Sequence, residues 1–126
     1  MAVNVEKHIA HWRSGAEEDF AVARATVASG HLRHGLFWAQ RAVKKLLMAC
    51  VTRATTNAAP SRTSLSALAA SAGLPLSDEQ GKLLTGLDPF FLEGRYPEPD
   101  GLVLEKKSVE MDIVRVEEFL EWLKNR

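Results

Sequence analysis

The stretch that decides the fold is residues 32–51, LRHGLFWAQRAVKKLLMACV. Its apolar side chains recur at steps of three and four residues, which predicts one long helix with an apolar arc. That arc consists of Leu36, Ala39, Val43, Leu46, Leu47 and Cys50. The opposite side carries Arg33, His34, Arg41, Lys44 and Lys45, with Phe37, Trp38 and Met48 among them. A helix with two such sides is typical of a central element that contacts the core on one side and something else on the other.

The segment before it, residues 5–27, shows the same spacing and ends at Ser29-Gly30. Its predicted apolar stripe consists of Val5, Ile9, Trp12, Ala16, Phe20, Ala23 and Val27. At about 100° per residue, Asp19 falls at the edge of this stripe. Because an unpaired carboxylate is costly to bury, we expect Asp19 to have a partner.

Shorter helical segments follow the long central helix. Residues 52–62 are polar, β-branched and contain Pro60, so they are predicted to form a loop. A short helix begins near residue 65, and Gly73 and Pro75 end it. Ser77 and Gln80 match a capping box at the start of the next helix, which Pro89 bends or ends early.

The last predicted helix starts near Ser108, with acidic residues in its first turn and basic residues in its last. No segment shows a sustained two-residue alternation. The sequence therefore predicts an all-α, up-and-down bundle of four long helices plus one short helix. The length of 126 residues corresponds to one domain, which we place at residues 1–126.

Composition excludes several classes of protein. Hydrophobic residues make up 46% and charged residues 25% of the chain, which excludes intrinsic disorder. The single cysteine, Cys50, excludes an internal disulfide and a Cys-rich zinc site. No apolar run approaches the roughly 20 residues that a membrane span needs, and the first ten residues do not match a signal peptide. We expect a cytoplasmic protein without membrane contact, bound metal or other cofactor.

The charges are balanced in number and separated along the chain. Residues 1–63 contain nine Lys or Arg against four Asp or Glu, a net charge of +5, and residues 64–126 contain seven against twelve, a net charge of −5. No carboxylate occurs between Asp19 and Asp78. This asymmetry indicates either an anion-facing surface or a basic element that packs beside the acidic segment of the same bundle.

The segment Arg95-Tyr96-Pro97 is the most unusual local signal outside the helices. Pro97 and Pro99 stiffen the loop, so Arg95 is presented from a rather rigid turn. The planar guanidinium of such an arginine suits a phosphate or carboxylate ligand. The alternative is that Arg95 pairs with Asp19 or another carboxylate and pins the loop to the bundle.

Three stretches in this order resemble the HEPN domain family (higher eukaryotes and prokaryotes nucleotide-binding). They are Trp12-x3-Ala16-Glu17-x-Asp19-Phe20-x2-Ala23, the helix FWAQRAVKKLLMA at residues 37–49, and Arg95-Tyr96-Pro97. The second is similar to the family's Gln-x-Ala-x-Glu-Lys-x-x-Lys helix. Thr63-Ser64-Leu65 is similar to the start of the family's short helix.

The resemblance implies a helical bundle that usually dimerises and is often encoded beside a minimal nucleotidyltransferase in toxin–antitoxin-like pairs. It also implies binding of nucleotides or RNA. We predict that the ligand is bound by Asp19, Gln40, Lys44, Lys45, Arg95 and Tyr96. We place the interface with a second subunit or a partner at Phe37, Trp38 and Arg41.

The chain also departs from the family pattern. Lys44 stands where the family has Glu, Met48 where it often has Lys, and Ser64 where it usually has His. Catalytic HEPN ribonucleases share a late Arg-x4–6-His motif, and no histidine follows Arg95 in this sequence. Without that histidine no general acid or base is evident for attack by a ribose hydroxyl. We therefore predict a binding protein without catalytic residues.

Two alternatives remain open from the sequence. The first is a metal-independent ribonuclease that uses Arg24 and His31, which meet the motif's spacing at the end of the first helix. The second is a purely protein-interaction subunit whose basic side binds an acidic partner. The close pair His31 and His34 has no carboxylate or thiol nearby in sequence, so we predict no metal site there.

Overall fold

The computed structural model describes residues 4–57, 63–91, 104–124 and 126. Within these ranges the chain forms five α-helices and a 3-10 turn, with no strand. They are α1 (Val5–Ala28), α2 (Leu32–Thr55), α3 (Leu65–Ser71), α4 (Asp78–Leu87), the 3-10 turn (Asp88–Phe91) and α5 (Lys106–Lys124). The predicted all-α bundle is confirmed. α4 has only ten residues, so it is much shorter than α1, α2 and α5.

α1 and α2 form a tight helical hairpin. α1 begins at Asn4, whose side chain accepts a hydrogen bond from the Lys7 backbone N–H at 3.0 Å. It ends at Ser29, and Gly30 then adopts a φ of +90°, a conformation that favours glycine. The predicted end of the first helix is therefore confirmed, and the short turn brings α2 back alongside α1.

α2 is the central helix, packed against α1, α3, α5 and the 3-10 turn. The predicted apolar arc is buried throughout, including Cys50 at 7% exposure. Two residues of the opposite side are also buried, since Phe37 and Met48 are only 8% and 4% exposed. The basic side of α2 therefore exposes fewer large apolar groups than its sequence pattern indicates, because the other helices of the subunit enclose most of α2.

The prediction that residues 52–62 form a loop is wrong at its start. α2 continues through Thr55, and the side chain of Thr52 is fully buried. The Thr55 hydroxyl donates to the Val51 carbonyl at 2.8 Å, so the last turn satisfies this polar group within the helix. The last turns of α2 pack into the bundle, where Val51 and Thr52 are both buried, although the Thr52 hydroxyl has no hydrogen-bond partner among the described residues. The helix stops after Thr55, and Thr56 caps it with a φ of +58°.

The start signals of α3 and α4 act as predicted. The Ser64 hydroxyl accepts from the Ala67 N–H at 3.1 Å and caps α3. Ser77 and Gln80 form the full capping box of α4, with reciprocal contacts of 3.1 Å and 2.9 Å. α4 ends at Leu87, two residues before Pro89, although Asp88 keeps helical dihedral angles (φ −50°, ψ −41°) and leads into the 3-10 turn. Pro89 has no N–H group to donate to the preceding turn, so the regular α-helix does not continue past it.

α5 closes the bundle. Its buried residues are Val109, Val116, Phe119, Leu120 and Leu123. Arginines of α1 and α2 bind carbonyl groups at its C-terminal end, Arg13 to Lys124 at 3.3 Å and Arg53 to Arg126 at 2.9 Å. These contacts satisfy carbonyl groups that have no partner within a helix and place positive charge at its negative end. None of the described helices is both long and apolar enough to cross a membrane.

Candidate functional site

Asp19 and Lys45 form an ion pair between α1 and α2. The Lys45 Nζ atom lies 2.8 Å from Asp19 Oδ2, and only 10% of the Asp19 side-chain surface is exposed. Oδ2 accepts no hydrogen bond of good geometry, so charge attraction is the main term in this contact. The expectation that Asp19 needs a partner is confirmed. Gly15 leaves room for the lysine, since a Cβ there would lie 3.0 Å from Lys45 Cδ.

Arg41 lies beside this ion pair and is the more exposed of the two cations around Asp19. Its Nε atom is 3.8 Å from Asp19 Oδ2, and 45% of its side-chain surface is exposed. Its Cζ atom lies 5.7 Å from the Phe37 ring centroid and 5.8 Å from that of Trp38. These two rings meet edge to face at 5.3 Å. The guanidinium is therefore held by a carboxylate and by two aromatic rings.

Lys44 precedes Lys45 on α2 and is partly buried. Partial burial lowers the pKa of Lys44, the positive charge of Arg41 lowers it further, and the negative charge of Asp88 opposes both. Gln40 lies one helical turn before Lys44 and is only 3% exposed. Gln40 is thus a buried residue of the subunit, although its place next to Lys44 matches the family pattern.

The structure assembles only part of the predicted ligand-binding set. Asp19 and Lys45 are in direct contact, whereas Asp88 acts on Lys44 only through its charge. Arg95 and Tyr96 lie outside the described residues. Three cations of α2, Arg41, Lys44 and Lys45, are opposed by the two carboxylates Asp19 and Asp88, which leaves a net charge of +1. We call this group of five residues the α2 cationic cluster.

The residues of the ribonuclease alternative are also placed by the structure. The Arg24 guanidinium lies 3.3 Å from the Glu117 carboxylate, so it pairs with α5. His31 is exposed just before α2, with its ring centroid 6.3 Å from that of His34. Among the described residues, no three His, Cys, Asp or Glu side chains are grouped in a way that could hold a metal ion. Arg24 thus has an acidic partner already.

Cys50 is the only thiol in the chain and lies in the buried arc of α2. Burial raises its pKa, although Arg53 and Arg13 exert a smaller opposite effect. A thiol with a raised pKa is protonated at neutral pH and is a poor nucleophile. The interpretation of Cys50 as a small buried apolar residue is confirmed.

The second surface feature is an open groove between α4 and α5, with a volume of about 670 Å³. Its apolar lining includes Leu36, Leu83, Leu87, Phe90 and Phe119. Met111 and Val114 line it from α5 and are unusually exposed for apolar residues, at 51% and 47%. We call this feature the α4–α5 groove.

Two residues at these sites escaped the sequence analysis. Gly15 lies in the middle of α1, where glycine weakens a helix by about 1 kcal/mol relative to alanine, and that cost is itself a signal of close packing. Asp88 accepts a hydrogen bond from the Leu65 N–H at 3.0 Å and also acts electrostatically on Lys44. Only the fold reveals these long-range contacts of Asp88, and its place before Pro89 gave no hint of them.

Comparison with known proteins identifies the family. The sequence model of the HEPN domain matches residues 9–126, which is nearly the whole chain. No curated protein and no solved structure gave a significant match. The matched range contains the α1–α2 hairpin, the α2 cationic cluster and α5. The chain therefore belongs to the HEPN domain family.

Proposed function

We propose that this chain is a non-catalytic HEPN domain protein that binds nucleotide or RNA, a partner nucleotidyltransferase, or both. It acts as a dimer within a toxin–antitoxin-like pair. The observation that carries the proposal is the family match over residues 9–126, since members of this family are associated with nucleotides and RNA. The partner and the dimer rest on the family resemblance alone.

The α2 cationic cluster supports an anionic ligand. The formal charges of its five residues sum to +1, and the Arg41 side chain is nearly half exposed. In this proposal Lys44 and Lys45 attract the ligand, Asp19 orients Lys45, and Arg95 and Tyr96 complete the site. Of the proposed interface residues, Trp38 and Arg41 keep accessible surface, whereas Phe37 is nearly enclosed.

The absence of catalysis is argued from the chemistry of RNA cleavage. The four histidines of the sequence are at positions 8, 11, 31 and 34, so none follows Arg95. The ribonuclease alternative depends on Arg24 and His31, and the Arg24 guanidinium pairs with Glu117. Prolonged incubation with RNA tests this alternative directly. Cleavage that His31→Ala abolishes would establish the ribonuclease and remove our proposal.

The first experiment is native mass spectrometry of the protein purified gently from its own cells. We expect a dimer that carries either nucleotide mass or a second small protein. A second protein without nucleotide affinity in later titrations would favour the purely protein-interaction subunit. A bare chain with neither partner nor nucleotide, at native concentration, would contradict the proposal.

Variants then test the assignment of the site. We expect Lys44→Gln to weaken RNA binding and to reduce the salt dependence of the binding constant, because one cation fewer displaces counterions. Lys107→Gln is the matched control, since it removes the same charge from an exposed position at the start of α5. The site is assigned wrongly if Lys44→Gln and Lys107→Gln bind RNA with equal affinity. The same conclusion follows if Arg95→Ala and Lys45→Ala bind nucleotide, RNA and partner as the wild type does.

A further inference from the structure

The Arg41 guanidinium is restrained on several sides by its own subunit. Asp19 attracts its Nε edge, with the nearest atoms 3.8 Å apart. Phe37 and Trp38 lie one turn before it on α2, and both ring centroids are within 6 Å of its Cζ atom. An arginine held in this way has already lost much of the side-chain freedom that ligand binding would otherwise remove.

The other edge of the guanidinium remains available. The ion-pair contact of Arg41 with Asp19 is made through Nε, at 3.8 Å, and 45% of the Arg41 side-chain surface is exposed. No other acceptor within the described ranges pairs with Arg41. The two terminal nitrogens, Nη1 and Nη2, carry parallel N–H groups, and such a pair can bind two oxygens of one anion.

The partition of charge around Asp19 favours Arg41 over Lys45 as the ligand-binding group. The Lys45 ammonium lies 2.8 Å from the carboxylate and exposes 22% of its side-chain surface, so its charge is largely compensated. Arg41 is a full ångström farther from the same oxygen and twice as exposed. One carboxylate cannot neutralise two cations, and the excess positive charge is carried at the exposed guanidinium.

We propose that Arg41 is a further phosphate-binding residue of this chain, with Nη1 and Nη2 binding two oxygens of a nucleotide phosphate beside Trp38. Asp19 and Lys45 act as positioning residues, since they fix the Nε edge and the local charge. The inference rests on the proposed nucleotide or RNA ligand. It assigns Arg41 to ligand binding, whereas the sequence analysis placed this residue at the interface. The shared chemistry is a phosphate group, which a mononucleotide and the backbone of single-stranded RNA both supply.

Calorimetric titration of the full chain tests this assignment. The probes are the ribonucleoside 5′-monophosphates, the corresponding nucleosides, and a short single-stranded RNA without terminal phosphates. The test variant is Arg41→Lys, which keeps the charge and removes the two-nitrogen edge. Arg115→Lys is the matched control, because Arg115 is an exposed arginine of α5 that also pairs with one carboxylate, Asp112.

We expect the wild type to bind a phosphorylated probe and to bind nucleosides far more weakly. Arg41→Lys should weaken phosphate binding by about tenfold or more, because a paired hydrogen bond to a charged group is lost. Arg115→Lys should change it by less than about twofold. Binding of the monophosphates identifies a mononucleotide site, whereas binding of the RNA alone identifies recognition of its backbone.

A direct readout separates this role from a purely structural one. In NMR spectra of the side-chain Nε–H groups, the resonance that Arg41→Lys removes should shift when the phosphorylated probe is added to the wild type. Equal affinities of the two variants, or an unmoved Arg41 resonance, would overturn the inference and leave the proposed function intact. A wild type that binds no phosphorylated probe would overturn both the inference and the nucleotide-binding part of the proposed function.

Discussion

The two sides of this bundle differ in how closely their helices approach. On the α1–α2 side, Gly35 lies against α1, and a Cβ at that position would overlap Cγ2 of Val27. On the side of the α4–α5 groove, Gly86 has no neighbouring atom within 4 Å of the place where a Cβ would be. The same residue type thus marks a close contact in one region and open space in the other.

The difference follows from the residues that face each interface. The buried residues of α1 and α2 include many small ones, namely Ala16, Ala23, Ala39, Ala42 and Ala49. Small side chains let two helices approach closely over a long contact. α4 has only ten residues and bears leucines, so it contacts α5 over a short distance and leaves the groove beside Met111. Asp19, Arg41 and Lys45 of the α2 cationic cluster lie on the closely packed side, where the two helices restrain their geometry.

The largest expected effect comes from Gly35→Ala, which breaks the close contact. Besides the overlap with Val27 Cγ2, the new methyl group would lie 3.2 Å from the Val27 nitrogen and 3.3 Å from the Ala23 carbonyl oxygen. The backbone of α1 cannot yield without separating the helices, so we expect a loss of about 2 to 3 kcal/mol in the free energy of unfolding. Urea denaturation followed by circular dichroism measures it.

Gly30→Ala is the control for Gly35→Ala. It shows how much stability is lost when alanine replaces a glycine of the α1–α2 hairpin without overlapping another atom. Gly30 has a φ of +90° and nothing within 4 Å of the site of a Cβ, so its substitution strains the backbone without any overlap. We expect it to lower stability by about 1 kcal/mol. A Gly35→Ala variant as stable as the wild type would show that α1 and α2 are not packed as closely as described.

The next effect in size is that of Asp19→Asn, which removes the charge between the two helices and keeps the side chain's shape. Lys45 then loses its carboxylate while it is still mostly buried, and Arg41 loses its nearest anion. Because both cations retain some contact with water, we expect a loss of about 1 to 2 kcal/mol, less than for a fully buried pair.

Glu18→Gln is the matched control for Asp19→Asn. Glu18 precedes Asp19 on α1 and is exposed, and its substitution by Gln removes the same negative charge. A thermal melt of both variants should show a lower Tm for Asp19→Asn alone. In a double-mutant cycle with Lys45→Met, the loss should be strongly non-additive, and simple additivity would show that the ion pair contributes nothing.

The fold was predictable where the local pattern and the tertiary environment agree. The stripe of α1, its end at Gly30 and the Ser77–Gln80 capping box depend on neighbours in sequence, and all three are present. The end of α2 was not predictable in the same way. Threonine has a weak helix propensity, and the helix continues because Val51 and Thr52 are buried in the assembled bundle, a tertiary effect that the local sequence does not show.

The sequence predicted which helices carry the residues of the site, but it did not predict which of these residues contact one another. The need of Asp19 for a partner followed from its place on the apolar stripe, yet the sequence left Arg95 and the cations of α2 as alternatives. The structure pairs Asp19 with Lys45 and brings Arg41 near, which depends on the register between two helices. Gln40 was expected at a ligand, and it is buried because α2 is enclosed on nearly every side.

The smallest effect is expected for Gly86→Ala, which tests the open α4–α5 groove as Gly35→Ala tests the close α1–α2 contact. Alanine has a higher helix propensity than glycine and restricts the unfolded chain, so where space is available it should raise the free energy of unfolding by about 0.5 to 1 kcal/mol. Gly86 lies within α4, borders the α4–α5 groove and has that space. The opposite signs expected for Gly86→Ala and Gly35→Ala, measured in the same urea titration, would establish that packing rather than propensity distinguishes the two glycines. A loss of stability with Gly86→Ala would mean that the groove is narrower at this residue, or that another segment of the same protein fills it there.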